Sequence, residues 1–327
     1  MKKGIAIVGY NCIDWTVTPA EQVAEGEISA GARILWSIGG IGGNTGSILA
    51  QMGDEVHIVG RIPKKDAMGQ AMRYALEQTG AQVHFVEDPN FRFSGTVVTE
   101  TSKDRTFQHQ PGSNLGSRAE DLNEEVIHDC CHAHIGYFGL SPHDLIEKTL
   151  LRARINGLTT SFDTHGKPTS QDMPSFKRCA RLTDVLIPSY NEIAGLFGAS
   201  DEDLRDKRLN PKTMCQYLTT LGPEVVGVKL GSDGAILMDR TGQWIYSPVF
   251  EGVVKKRTGA GDTFYAGVIS EYMNRKRLGK PLNLATMLTK GNIYATMQVC
   301  DLPKDYESFS EVHKRAQHQG QTKWQFN

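Results

Sequence analysis

Thr258-Gly259-Ala260-Gly261-Asp262-Thr263-Phe264 joins a run of small residues to a carboxylate at the mouth of a helix. Downstream, Phe264, Val268, Ile269 and Tyr272 fall at near-helical spacing. Gly259, Ala260 and Gly261 therefore present backbone N–H groups at a helix N-terminus, where the macrodipole favours negative charge. Asp262 stands where a transferring phosphoryl group would sit. It repels the anion but is well placed to take the proton from an attacking hydroxyl. An acidic helix N-cap after a glycine-rich turn fits the same local sequence.

A second glycine-rich segment, Gly39-Gly40-Ile41-Gly42-Gly43-Asn44-Thr45-Gly46, runs into Ile48, Leu49 and Met52 and reads as another loop feeding a helix. Neither segment ends in the G-K-[ST] of a Walker loop. Neither is a dinucleotide fingerprint, because position 45 is threonine. Asn44 can both donate and accept through its side chain, which suits a hydroxyl-bearing ligand.

The two segments together resemble the ribokinase-like (PfkB-type) carbohydrate kinases, which carry G-G-x-x-x-N early and D-T-x-G-A-G-D late. Gly39-Gly40 with Asn44 matches the first, and Thr258 to Asp262 matches the second except for its leading acid, where this chain has Lys256. Ile5-Ala6-Ile7-Val8-Gly9 followed by Asn11 and Asp14 is similar to the family's first strand with its sugar-binding Asp. Met52-Gly53 with positions 56–61 is similar to its helix end and second strand, and Lys229-Leu230-Gly231-Ser232-Asp233-Gly234-Ala235 to its nucleotide-side strand and turn. Asn292 falls on the late helix that borders the adenine in the family.

The resemblance implies one ribokinase-like domain over 1–327, a three-layer α/β/α sandwich with a mostly parallel sheet and a small β-lid from about 12–37 and 91–110. The residues agree in part by themselves. Apolar runs predict strands at 5–8, 56–59, 134–138, 159–163, 185–187, 225–229 and 235–238, with helices at 69–78, 145–155 and 214–221 among the segments between them. That alternation implies a parallel sheet. Stretches 17–37 and 91–109 break it and look antiparallel, as a lid or as ordinary surface hairpins.

The implied activity is ATP-dependent phosphorylation of a primary hydroxyl of a sugar. Asp262 would be the general base, and the Gly259, Ala260 and Gly261 N–H groups would hold the developing charge. Asp14, Gly39, Gly40, Asn44, Arg105 and Phe107 would meet the sugar. Thr258, Lys229, Gly231, Gly234 and Asn292 would meet the nucleotide. Mg²⁺ is implied by ATP, with Glu192, in a P-N-x-x-E-like stretch that has Ser189 for Asn, acting through water. Read without the family, Asp14 can cap a turn, Asn191-Glu192 can be first-turn helix residues, and Lys229 can be a strand-end charge.

Lys256 cannot ligate a cation, so no potassium activation is expected at the position where relatives carry an acid. Its ammonium could stand in for the cation, or it could belong to a solvated Lys255-Lys256-Arg257 run. The stretch 105–114 holds no dense basic cluster, which favours a free sugar, ketohexose or pentose in type. Arg33 and Arg105 keep a phosphosugar open, and Trp15, Trp36 and Phe107 keep a nucleoside open. A non-catalytic sugar- or partner-binding homologue is the remaining alternative.

A net charge of −1 and a pI near 6.8 offer no basic field for nucleic acid or an anionic membrane. No apolar stretch is long enough for a signal peptide or a membrane span, so the cytoplasm is expected. The 6 cysteines include no C-x-x-C. Cys130-Cys131-His132-Ala133-His134 reads as partly buried thiols and surface histidines in a reducing compartment rather than as a metal site. Relatives often dimerise through their lids, and Val97-Val98 is compatible with that, as with a monomer. The polar stretch 317–327 is expected to be loosely held.

Overall fold

The first strand shows why the main sheet forms. Ile5, Ala6, Ile7 and Val8 are all buried, with Ile5 and Ile7 facing one apolar cluster and Ala6 and Val8 the other. A strand apolar on both faces needs a layer on each side, the arrangement of a parallel sheet. The computed structural model describes residues 3–19, 31–100, 105–137, 143–164, 166, 168–206, 208–256 and 258–316. The expectation for 317–327 lies outside them.

The strands are β1 (Gly4–Gly9), β2 (Asn11–Thr18), β3 (Arg33–Gly39), β4 (Val56–Pro63), β5 (Gln82–Asp88), β6 (Gly95–Glu100), β7 (Arg105–Gln110), β8 (Cys130–Gly136), β9 (Thr159–Asp163), β10 (Val185–Leu186), β11 (Val225–Lys229), β12 (Ala235–Asp239) and β13 (Trp244–Ser247). A nine-stranded sheet has the order β13-β12-β11-β10-β9-β8-β1-β4-β5. It is parallel from β5 through β11 and antiparallel at β11–β12 and β12–β13. Helices including His143–Ile155, Tyr190–Leu196 and Pro211–Thr219 pack with one cluster. Ala260–Arg277 and Leu284–Val299 pack with the other.

The strands expected at 159–163 and 225–229 appear with those bounds, and the helices 69–78, 145–155 and 214–221 form as Ala67–Glu77, His143–Ile155 and Pro211–Thr219. Sequence reading missed β5 and β13, the two edge strands, whose partly exposed, mixed composition carries little apolar signal. It also misplaced the histidines. β8 begins at Cys130, so His132 and His134 point into the interior, where Ser161 Oγ lies 2.8 Å from His132 Nε2 and 2.8 Å from His134 Nδ1. Hydroxyl partners on β9, Ser161 for both rings and Thr159 2.9 Å from His132 Nδ1, make the burial tolerable.

The second sheet has the order β3-β2-β6-β7. Its hairpins β2–β3 and β6–β7 are antiparallel, as the alternation suggested, but β2 and β6 join them in parallel. That pairing links distant segments, so no local pattern announces it. Residues 20–30 and 101–104 of the expected lid stretches lie outside the description, and the strands in the rest span 11–18, 33–39, 95–100 and 105–110.

Candidate functional site

The glycine-rich segment at 39–46 is not a loop. Gly42–Gly46 forms a π-helical turn that continues into helix Ser47–Gln51. Turns of this kind are wide and recur at functional sites. Small residues are required because the turn is pressed between strands. A Cβ on Gly42 would lie 1.9 Å from Asn11 Oδ1, and one on Gly43 would lie 2.6 Å from the Ile38 carbonyl carbon. The turn projects Asn44, whose Nδ2 donates to Asp262 Oδ2 at 2.7 Å, and Thr45, whose hydroxyl donates to the Asp262 carbonyl at 3.2 Å. Thus the two motifs, 218 residues apart, meet directly.

Gly259 is the N-cap of helix Ala260–Arg277, with φ of 79°, and Asp262 lies in the first turn. A Cβ on Gly259 would meet Asn44 Oδ1 at 2.8 Å and Gln298 Nε2 at 3.0 Å, so glycine serves both the left-handed backbone and the close approach. Gln298 donates to the Thr258 carbonyl at 3.0 Å and fixes the loop from behind.

On the other side, Asp14 projects from β2 against Gly39. A Cβ there would lie 2.1 Å from Asp14 Oδ2. Gly40 has φ of 73° and closes against the Tyr10 carbonyl. Cys12 Sγ donates to Asp14 Oδ1 at 3.1 Å. Burial, together with Asp14 and more weakly Asp262, pushes this thiol well above its ordinary pKa, so it remains protonated beside Asp14. Register places Asp14, Thr96, Phe107 and His109 on one face of the smaller sheet, and Trp15, Trp36 and Val97 on the opposite face. Of the three aromatics considered for a base slot, therefore, only Phe107 shares the face of Asp14. Phe107 is 55% exposed. Arg105 lies on the same strand, with its side chain outside the description.

Lys229 ends β11, and its ammonium bonds Asp163 Oδ2 at 2.8 Å. The two side chains are 12% and 3% exposed. Burial opposes the lysine charge, but Asp163, Glu192 and Asp262 outweigh it and hold the Lys229 pKa above the ordinary value. Sequence reading overlooked Asp163. The available signal was its place at the carboxyl end of a parallel strand, where open α/β sheets bind ligands. Tyr10, Cys12, Thr45 and Gln298 were likewise not singled out.

Glu192 Oε2 accepts from the Ser189 N–H at 2.7 Å, and the Glu192 N–H donates to Ser189 Oγ at 3.3 Å, a reciprocal cap of helix Tyr190–Leu196. The cap leaves Glu192 near enough for Lys229 to feel its charge. Gly231 and Gly234 flank the β11–β12 turn with φ of 65° and 97°. A Cβ on Gly231 meets nothing within 4 Å, whereas one on Gly234 would lie 2.0 Å from the Ser247 carbonyl oxygen. Asn292 is buried and donates to Ser247 Oγ at 2.9 Å and the Pro248 carbonyl at 3.0 Å. Backbone N–H groups of Lys255 and Lys256 donate to the Val299 carbonyl. The Lys304 amine is pushed down to about 8, by burial first and with Lys256 adding to the effect.

The family model for pfkB family carbohydrate kinases matches residues 2–301. The chain belongs to that family. It is accordingly an ATP-dependent sugar kinase with the ribokinase-like fold. Among similar family members, aminoimidazole riboside kinase of Salmonella typhimurium is 25% identical, the match covering 85% of this chain and 89% of that one. The 5-dehydro-2-deoxygluconokinase of Geobacillus kaustophilus is 24% identical, covering 82% and 81%. Arabidopsis thaliana ribokinase, solved with ribose and ATP, superposes with a TM-score of 0.76 at 21% identity over 96% of this chain and 99% of that one. An Escherichia coli ribokinase II structure in complex with ATP and Mg²⁺ gives 0.74 at 19% identity over 98% and 100%. Among the described residues, no helix is long and apolar enough to cross a membrane.

Proposed function

We propose that this kinase transfers the γ-phosphoryl group of ATP to a primary hydroxyl of a free sugar of ketohexose or pentose type, with Asp262 as general base. The observation that carries the reading is the Asn44–Asp262 hydrogen bond of 2.7 Å at the mouth of helix Ala260–Arg277. It fixes one carboxylate oxygen of Asp262 and so orients the group at a helix N-terminus that attracts anions. Asp262 takes the hydroxyl proton as the sugar oxygen approaches phosphorus. The Gly259, Ala260 and Gly261 N–H groups hold the charge that develops on the transferring oxygens.

Asp14 accepts sugar hydroxyls, and its orientation is held by the Cys12 thiol and the space that Gly39 leaves. Gly40 shapes the floor, Phe107 closes the sugar side from β7, and Arg105 is the further sugar contact proposed on that strand. Thr258, Lys229, Gly231, Gly234 and Asn292 form the nucleotide side. There Gly231 lets the triphosphate approach the backbone, and Asn292 acts by anchoring the Ser247–Pro248 segment. The carboxylate of Glu192 suits Mg²⁺, a hard cation that takes oxygen ligands, whereas that of Asp163 is already engaged by the Lys229 ammonium. Glu192 would hold Mg²⁺ through water, and the ion would neutralise charge on the phosphates.

The smaller sheet acts as a lid that excludes water. A homodimer through its outer face, where Ile34 is 63% and Trp36 is 54% exposed, is part of the proposal. So is a reducing, cytoplasmic setting, which suits 6 free cysteines. The absence of a dense basic cluster in the stretch 105–114 favours a free sugar over a phosphosugar.

The test is ATP consumption with Mg²⁺ over free sugars, phosphosugars and nucleosides, with Asp262→Asn beside the wild type. One saturable acceptor whose turnover falls by about 10²-fold or more in the variant is expected, the loss typical of a missing general base. A variant as active as the wild type would sink the assignment of Asp262.

A further inference from the structure

Lys229 has surroundings that a nucleotide contact does not require. Its ammonium is hydrogen-bonded to Asp163 at 2.8 Å and stands 5.4 Å above the ring centre of Tyr265. The Tyr265 hydroxyl is itself fixed. It lies 2.6 Å from the Val185 carbonyl and 3.1 Å from that of Phe162, and it accepts from the Ile187 N–H at 3.2 Å. The cation is thus held from the side and from below by groups tied to β9 and β10. A Cβ built on Gly261 would lie 3.6 Å from Lys229 Nζ, so the charge sits against the anion loop.

Asp163, in direct contact, keeps this ammonium protonated despite burial, and the charges of Glu192 and Asp262 add to its effect. Bringing polyphosphate to a site already rich in carboxylates raises the need for a positive charge that is in place beforehand. A charge so held needs no reorganisation during transfer. Stability alone is a weak reason to keep the pair, because buried ion pairs are often replaceable by apolar residues at no loss. We propose that Lys229 is a built-in counter-charge of the transfer site, anchored by Asp163 and directed at the terminal phosphoryl group rather than at the nucleotide as a whole. The inference rests on the phosphotransfer reading above.

The experiment compares wild type, Lys229→Met, Lys229→Arg and the double variant Lys229→Met/Asp163→Asn. Turnover is measured alongside calorimetric affinity for ADP and for a non-hydrolysable ATP analogue, each with Mg²⁺. Lys229→Met should lower kcat by about 10²- to 10³-fold, the loss seen when one preorganised charge-stabilising group is removed. Its affinity for the analogue should fall at least about 10-fold, the scale of one lost charged hydrogen bond, while that for ADP changes less than about 3-fold. Lys229→Arg should recover part of both.

The double variant removes both charges and so keeps the fold testable if an unpaired Asp163 unfolds the single one. It should stay slow and keep the selective loss of the analogue. Equal weakening of ADP and analogue would reduce Lys229 to an ordinary nucleotide contact. Recovery of kcat in the double variant would mean that Lys229 only neutralises Asp163. Either result overturns the proposal. A wild type that consumes no ATP with any acceptor would refute the transfer reading instead, and the ADP-versus-analogue comparison would still decide the role of Lys229.

Discussion

Acid should weaken this fold through His132. The imidazole is fully buried, with Nδ1 2.9 Å from Thr159 Oγ1 and Nε2 2.8 Å from Ser161 Oγ. Burial, with smaller contributions from His134 and Arg277, lowers its pKa to about 3 from an ordinary 6.5. The unfolded chain therefore takes up a proton below pH 6.5 that the folded chain refuses until about pH 3. The stabilisation is complete above pH 6.5 and is lost as pH falls through that window. Each unit inside the window removes about 1.4 kcal/mol, so about 3 kcal/mol should be gone at pH 4.5 and about 5 kcal/mol in all.

The assay is urea unfolding at pH 7.5 and 4.5 for wild type and His132→Gln, which cannot titrate. The variant starts less stable but should lose about 3 kcal/mol less on acidification. Parallel losses in the two proteins would refute the reasoning. So would an imidazole resonance of His132 that titrates near pH 6 in the folded protein.

Three further outcomes are expected. Gly39→Ala drives a methyl into the Asp14 carboxylate, which would lie 2.1 Å from it. The sugar KM should rise about 10- to 100-fold, the worth of a charged hydrogen bond, with the ATP KM unchanged; an unaltered sugar KM would remove Asp14 from the site. Potassium should not raise the wild-type rate, and Lys256→Ala should slow turnover in sodium and regain rate on adding potassium. Equal rates for both proteins in both salts would return Lys256 to a solvated role. Trp36→Glu should shift the sedimentation mass from dimer to monomer, and a wild type that already sediments as a monomer would exclude the lid contact.

Periodicity sufficed for β1 and β11 because strands apolar on both faces leave runs such as Ile5 to Val8 that few other structures produce. The capped, amphipathic Ala67–Glu77 was legible for the same kind of reason, its N-cap Asp66 accepting from the Gly69 N–H at 2.8 Å. The small-residue stretch at Thr258 to Asp262 also declared itself, since a helix N-terminus that meets an anion limits side-chain size locally. What neighbours along the chain impose, the sequence carries in its own spacing.

The tertiary structure decided the rest. It turned the run at 39–46 from a loop into a π-helical turn, pressed by Asn11 of the preceding strand β2 as well as by Ile38 at the end of β3. It buried His132 and His134 by starting β8 at Cys130 and supplying Ser161 from β9. It separated Trp15 and Trp36 from Asp14 through strand register, and it joined the two hairpins of the smaller sheet in parallel. Asn44 with Asp262, and Lys229 with Asp163, are contacts across 218 and 66 residues. Residue identity along the chain set which chemistry was available. Packing between remote strands set which groups face one another, because contact energies depend on distance in space and the sequence records only order.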